Sequence, residues 1–219
     1  MTSREFRDRL IRRARRAKIA VAPETADVLE EYFRLLDRWN AKINLTALPL
    51  RPPTDETFDR LFVEPLAAAR FLPNEPDVWL DLGSGGGSPA IPLKAVRPKL
   101  KLTMVESKVR KAAFLREAVR TLKLRDATVE NARVEALGDA FRGSASVVTV
   151  RAVKVDSTLL ALTARLLRTD GRLVLFRPTN VPIAAKDFEH VETVQLTDVP
   201  PAYAAALKRV FHVEQRGRT

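Results

Sequence analysis

Val78-Trp79-Leu80-Asp81-Leu82-Gly83-Ser84-Gly85-Gly86-Gly87-Ser88-Pro89 decides the fold. An apolar run stops at a cluster of glycines, and a helical stretch follows over 90–96. A short apolar run bounded by glycine reads as a buried strand. A strand that turns through glycines into a helix opens a βαβ unit. Glycine there permits backbone angles closed to other residues and lets a ligand come close to the main chain. Toward the C-terminus, apolar runs recur over 102–105, 128–131, 147–150 and 173–176. Helical stretches over 108–122 and 157–168 lie among them, and Gly171 stands where a helix is expected to stop and a strand to begin. This alternation predicts an α/β fold, a doubly wound parallel sheet covered on both faces. Two last strands are expected over 191–196 and 207–213, as a hairpin-like pair at the sheet edge.

Before the glycine loop the pattern is helical. Arg4, Arg7, Arg9, Arg12, Arg13, Arg15, Arg16 and Lys18 fall within one basic helix, with Leu10, Ile11 and Ala14 on its apolar side. Such a helix either grips phosphates or stays wet. Pro23 and Glu24 open a second helix, in which Val28, Leu29, Tyr32, Phe33, Leu35, Leu36 and Trp39 recur at helical spacing and form a core stripe. A loop marked by Pro49, Pro52 and Pro53 leads to a third helix expected over 56–70. Residues 1–73 therefore read as an N-terminal helical cap, and residues 74–219 as the sheet domain.

Composition excludes several chemistries. With 0 Cys there is no disulfide framework, thiolate ligand or thiol nucleophile, and 2 His, His190 and His212, do not make a His-rich metal centre. No metal is expected. No apolar run approaches the roughly 18–20 residues of a membrane span, so no membrane association is expected. The first residues lack the apolar stretch of a secretory signal, and Glu5 and Asp8 argue against a transit peptide, so a cytoplasmic location is expected. A net charge of +11 favours a polyanionic partner, because neutralised phosphates release condensed counterions. An incidental basic surface is the plainer alternative.

The glycine loop names a class of ligand only with the acids around it. It departs from the G-x-x-G spacing that seats a pyrophosphate, and no Walker-type phosphate loop is present. Asp81 ends the first strand, where its carboxylate suits the amino group of a methionine moiety or braces the loop. Glu106 ends the second strand, about 20 residues beyond the glycine loop, where an acid accepts from both ribose hydroxyls. The third strand leads into Ala132-Arg133-Val134-Glu135, whose backbone is placed to meet an adenine. An anionic pocket also suits a sulfonium. S-adenosylmethionine is the cofactor this combination favours, within a Rossmann-like class I methyltransferase sheet. Against it stands the reading in which Glu106 merely caps the following helix beside Ser107.

At these residues the chain resembles the bacterial small-subunit ribosomal RNA guanine-N7 methyltransferases, also called glucose-inhibited division protein B. The matching pieces are Trp39-Asn40, Asn44-Leu45-Thr46, the run from Asp81 to Gly87, Pro89 with Ile91-Pro92, and Glu106-Ser107. Lys111, Phe114-Leu115, Arg133-Val134-Glu135 and Arg151-Ala152 continue the match. The resemblance implies methyl transfer to N7 of a guanine in the 530 loop of 16S ribosomal RNA, with free RNA or the 30S subunit as partner and a monomeric enzyme. It implies a cofactor site lined by Gly83, Gly85, Gly87, Ser88, Val134, Glu135 and Arg151, beside Asp81 and Glu106. Asn44 and Thr46, in the family's signature loop, are expected to face the substrate. The sequence departs from the family in Ser88, where a large apolar residue is usual, and in Phe176-Arg177-Pro178, where Lys-Gly is common.

Guanine N7 carries an in-plane lone pair and no hydrogen, so its methylation needs no base. The sequence agrees: it has neither the Asn/Asp-Pro-Pro-Tyr/Phe motif of amine methylators nor a Cys nucleophile. Catalysis by alignment is expected, with Arg151 and Arg177 holding RNA phosphate or the guanine. Lys108, Arg110 and Lys111 open a helix where acids would suit the dipole better, which an RNA phosphate would explain and a solvated face would equally allow. Two rival functions remain. One is a methyltransferase of another RNA, a small molecule or a protein; the other is a non-catalytic cofactor-binding factor in ribosome assembly.

Overall fold

The computed structural model describes residues 1–198 and 200–210. Seven strands form one sheet in the order β3-β2-β1-β4-β5-β7-β6. They are β1 (Val78–Leu82), β2 (Lys101–Val105), β3 (Ala127–Glu130), β4 (Ala145–Arg151), β5 (Leu167–Arg177), β6 (Phe188–Asp198) and β7 (Pro201–Arg209). The first five are mutually parallel, and β7 is antiparallel to both β5 and β6. The chain winds outward from β1 to β3, then returns to place β4 on β1's other side. That reversal opens a crevice at the carboxyl ends of β1 and β4, the place where doubly wound sheets bind ligands.

Helices α1 (Ser3–Arg16) and α2 (Pro23–Asn40) precede the sheet. Thr2 and Glu5 cap α1 reciprocally, and Pro23 at the start of α2 has no amide to leave unpaired. Phe6, Leu10 and Ala14, spaced by four, are the buried face of α1. The Phe6 ring meets those of Phe33, Phe58 and Phe62 at centroid distances of 5.2–5.6 Å. The expected third helix is a continuous helical run with a changing pitch. It passes from α3 (Asp55–Phe58) through one π turn (Asp59–Val63) to α4 (Glu64–Ala68) and a 3-10 turn (Ala69–Phe71). Such π turns recur at functional sites, and this one carries Arg60 into the crevice.

Three arginines of the basic helix act as struts to its neighbours. Arg13 Nε donates to Asp59 at 2.8 Å, Arg9 Nε to Asp55 at 2.8 Å, and Arg7 pairs with Asp27 at 2.7 Å. Those three arginines hold α1 to its neighbours, so they are not free for phosphate. One hydrophobic cluster runs from the cap through Trp79, Val147 and Val174 to Ala204 and Ala206. Helices α5 (Ala90–Val96) and α6 (Val109–Thr121) join it, while α7 (Ser157–Leu166) covers the opposite face. The cap and one face of the sheet thus share a core.

Two expectations at the sheet's far edge are corrected. Gly171 lies inside β5, where a Cβ would come within 2.9 Å of the Arg168 carbonyl and 3.1 Å of the Ala145 carbonyl; it admits close backbone approach and does not end α7. The last strand begins at Pro201, earlier than expected, and residues 211–213 of the expectation, with His212, lie outside the described residues. The two last strands do form an antiparallel hairpin at the sheet's end, with β6 outermost and β7 between it and β5. Among the described residues, no helix is long and apolar enough to cross a membrane.

Candidate active site

The glycine loop follows β1 and hugs the end of β2: the amides of Gly83 and Ser84 both donate to the Val105 carbonyl, at 2.9 and 3.1 Å. Gly83 has φ +72° and Gly85 φ +52°, both in the left-handed region. A side chain on Gly83 would meet Val153 Cγ2 at 2.9 Å, whereas Gly85 has only the Gly83 carbonyl nearby, at 3.7 Å. Gly85 thus leaves open space above the loop. Gly87, also at positive φ, differs in role. Its missing Cβ would clash with Ile91 Cδ1 at 2.5 Å and meet the Tyr32 ring at 3.4 Å, so it serves helix packing and does not line the crevice.

Two carboxylates lie beneath this loop. The sheet register sets Asp81 opposite Thr149. The Trp79 indole donates to the Thr149 hydroxyl at 2.9 Å, and that hydroxyl donates onward to Asp81 Oδ1. Asp81 Oδ2 is buried and receives no hydrogen bond from the described residues. Burial pushes the Asp81 carboxyl up to about 6, above its ordinary 3.8. Glu106 accepts from the Gly85 amide at 2.9 Å through Oε2 and from the Lys108 amide at 2.7 Å through Oε1. It therefore braces both the loop and the turn into α6, and each oxygen keeps a second lone pair for a ligand.

The far wall comes from the cap. Tyr32 donates to the Gly86 carbonyl at 2.6 Å, and Asn40 Oδ1 accepts from the amides of Leu45 and Thr46 at 2.8 and 3.0 Å. These bonds fasten α2 and the 44–46 loop against the glycines; burial raises the Tyr32 hydroxyl above its usual range. Thr46 lines the crevice, whereas Asn44 is exposed and lies outside its lining. Ser88, the departure from the family's pattern, donates to the Leu61 carbonyl at 3.1 Å and accepts from Arg151 at 3.3 Å. Its hydroxyl ties the loop to the π turn.

Arg151 is placed otherwise than expected. Register pairs it with Phe176, whose ring lies 5.4 Å from its guanidinium carbon. Nη1 donates to the Arg60 carbonyl at 2.6 Å, and Nη2 pairs with Glu64 Oε2. Burial raises the Glu64 carboxyl and lowers Arg151, each opposed by the partner's charge. Arg151 lines the crevice and is ion-paired there with Glu64, not a free cation as its expected role with RNA phosphate or guanine supposed. Arg177 lies at the same crevice and donates to the Val181 carbonyl.

The crevice encloses about 1040 Å³ and is lined by Gly83, Ser84, Gly85, Glu106, Thr46, Lys111 and Arg177 among others. That is room for a cofactor and part of a second ligand. Lys111 reaches it, while Lys108 and Arg110 stand exposed on the first turn of α6, a turn with no acid. Val134 and Glu135 form a 3-10 turn after β3, outside the lining residues. Tyr32, Asn40, Arg60, Glu64 and Thr149 were not singled out from the sequence as site residues. The Trp39-Asn40 motif was the available signal for Asn40; Tyr32 was read only as core.

The residues fit S-adenosylmethionine. The unpartnered Oδ2 of Asp81 suits an ammonium group, the open face of Gly85 admits close approach, and Glu106 keeps acceptor capacity for hydroxyls.

Residues 25–200 match a family described as rRNA small subunit methyltransferase G. A ribosomal RNA small subunit methyltransferase G of Roseiflexus sp. (strain RS-1) is 37% identical over 171 residues, 76% of this chain and 71% of that protein. Its counterpart in Xanthomonas oryzae pv. oryzae is 39% identical over 151 residues, 68% of this chain and 67% of that one. Among solved structures, a SAM dependent methyltransferase from Aquifex aeolicus aligns with a TM-score of 0.56 at 15% identity, over 69% of this chain and 92% of that one. At that identity the likeness speaks for the fold.

Proposed function

The chain belongs to the rRNA small subunit methyltransferase G family, and on that premise we propose that it methylates N7 of a guanine in the 530 loop of 16S ribosomal RNA. It is an S-adenosylmethionine-dependent methyltransferase of the small-subunit RNA; the base atom and the loop are the finer part of the proposal. The observation that carries it is the crevice itself: Glu106 and the glycines on one wall with the buried Asp81 carboxylate beneath them, cap residues on the other, and Lys111 and Arg177 beside them.

When bound, S-adenosylmethionine supplies an electrophilic methyl carbon on a sulfonium. The protein's part is placement. Glu106 offers its remaining lone pairs to the ribose hydroxyls, Asp81 Oδ2 accepts from the ammonium, and Gly85 lets the ligand approach the loop. Guanine N7 has a free lone pair, so no side chain need take a proton before attack. Alignment in a confined cleft is sufficient chemistry. Lys111 and Arg177 hold the RNA, with Lys108 and Arg110 extending a cationic path along α6. The protein acts as a monomer.

The test is incubation with ribosomal subunits and tritiated S-adenosylmethionine. Label is expected on 16S RNA and absent from 23S RNA and ribosomal protein. Label on protein, or none despite calorimetric cofactor binding, would contradict the proposal.

A further inference from the structure

Four cations, Arg60, Lys111, Arg151 and Arg177, line the same crevice as the glycine loop. A cofactor whose reacting centre is a sulfonium must enter among them. Glu64 stands between two of these cations: its Oε2 pairs with Arg151, and its Oε1 lies 3.7 Å from Arg60 Nη1. It is 2% exposed and comes from the cap, 87 residues from its partner on β4. Arg151 Nη1 also donates to the Ser88 hydroxyl at 3.3 Å, which ties it to the glycine loop.

Stability alone does not account for this arrangement. Burying an ion pair costs desolvation that its attraction often fails to repay, and an apolar pair of similar volume commonly serves as well. An electrostatic task does account for it. On the reading that the crevice takes S-adenosylmethionine, we infer that Glu64 is a positioning residue for the reaction: it fixes Arg151 and cancels its charge, so that a cationic sulfonium is admitted where an uncompensated guanidinium would repel it. The demethylated product, S-adenosylhomocysteine, is a neutral thioether at that atom. The pair therefore tunes affinity for the substrate form of the cofactor and leaves the product form almost untouched.

The experiment measures dissociation constants of both ligands by calorimetry for the parent, Glu64→Gln, Arg151→Met and the double variant. Glu64→Gln is expected to weaken S-adenosylmethionine about tenfold while S-adenosylhomocysteine changes less than about twofold. Adding Arg151→Met removes the uncompensated cation and restores the parent's ratio. Arg151→Met alone, which leaves the carboxylate with only the more distant Arg60 at 3.7 Å, shifts the ratio in the opposite direction; it provides the reading if Glu64→Gln does not fold. Ratios equal to the parent's in the single variants would reduce the pair to a shape-giving contact and overturn the inference. A parent that binds neither ligand would overturn the cofactor reading on which it rests, a result distinct from bound ligands with an unmoved ratio.

Discussion

At the scale of single residues, the site is governed by what burial does to a few groups. Gly83 has both a positive φ and a neighbour, Val153, where a side chain would go. Gly83→Ala is therefore expected to weaken cofactor binding at least about fivefold by calorimetry, through backbone strain of about 1 kcal/mol or more. Gly138→Ala, with nothing within 4 Å of the added methyl, is expected to change nothing. Asp81 gives a pH signature. Its folded-state value, about 6, lies above the ordinary 3.8, so the native state binds this proton more tightly than the unfolded chain does. Its contribution to stability is thus lost as pH rises from about 4 to 6, and the loss is complete above that. Asp81→Asn escapes the cost: urea unfolding at pH 7 is expected to show a variant more stable than the parent by up to about 3 kcal/mol, with the gap closing near pH 4. A gap independent of pH would contradict the burial account.

At the scale of elements, the cap is anchored through ions as well as rings. Asp59 is 2% exposed and held by Arg13, whose charge it in turn stabilises through their hydrogen bond. Arg13→Met leaves that carboxylate buried without its main partner and is expected to cost about 3 kcal/mol in denaturant unfolding. Arg12→Ala, on the exposed side of the same helix, is expected to leave stability within about 0.5 kcal/mol. These contacts also explain what could be read in advance. The glycine-flanked β1, the helical stripe of α2 and the parallel alternation follow from local patterns, since side-chain periodicity reports which face is buried. The last strand was misplaced because Ala202-Tyr203-Ala204-Ala205-Ala206 has a composition poor in strand formers. Small side chains are tolerated there because β7 is packed between β5 and β6 with Ala204, Ala205 and Ala206 all buried. In the site, Asp81 and Glu106 were legible because strand ends fix them. Glu64 was not, since its partner lies 87 residues away and a π turn aims the run that carries it.

At the scale of the molecule, one core unites cap and sheet, and the crevice between them is the product of both. Tyr32 illustrates the consequence: Tyr32→Phe removes one hydrogen bond to Gly86 and is expected to cost about 1 kcal/mol of stability, with a several-fold rise in the cofactor dissociation constant. The net charge of +11 is unevenly available, because Arg7, Arg9 and Arg13 of α1 are ion-paired within the protein while Lys111 and Arg177 line the crevice. The central claim is transfer to guanine N7 at one place in the small-subunit RNA. The most direct measurement isolates 16S RNA after reaction of 30S subunits lacking the modification, digests it and identifies and maps the labelled nucleoside. 7-Methylguanosine within the 530 loop is expected, and no other labelled nucleoside. Label in a methylated adenine or cytosine, or in 7-methylguanosine elsewhere in the RNA, would contradict it.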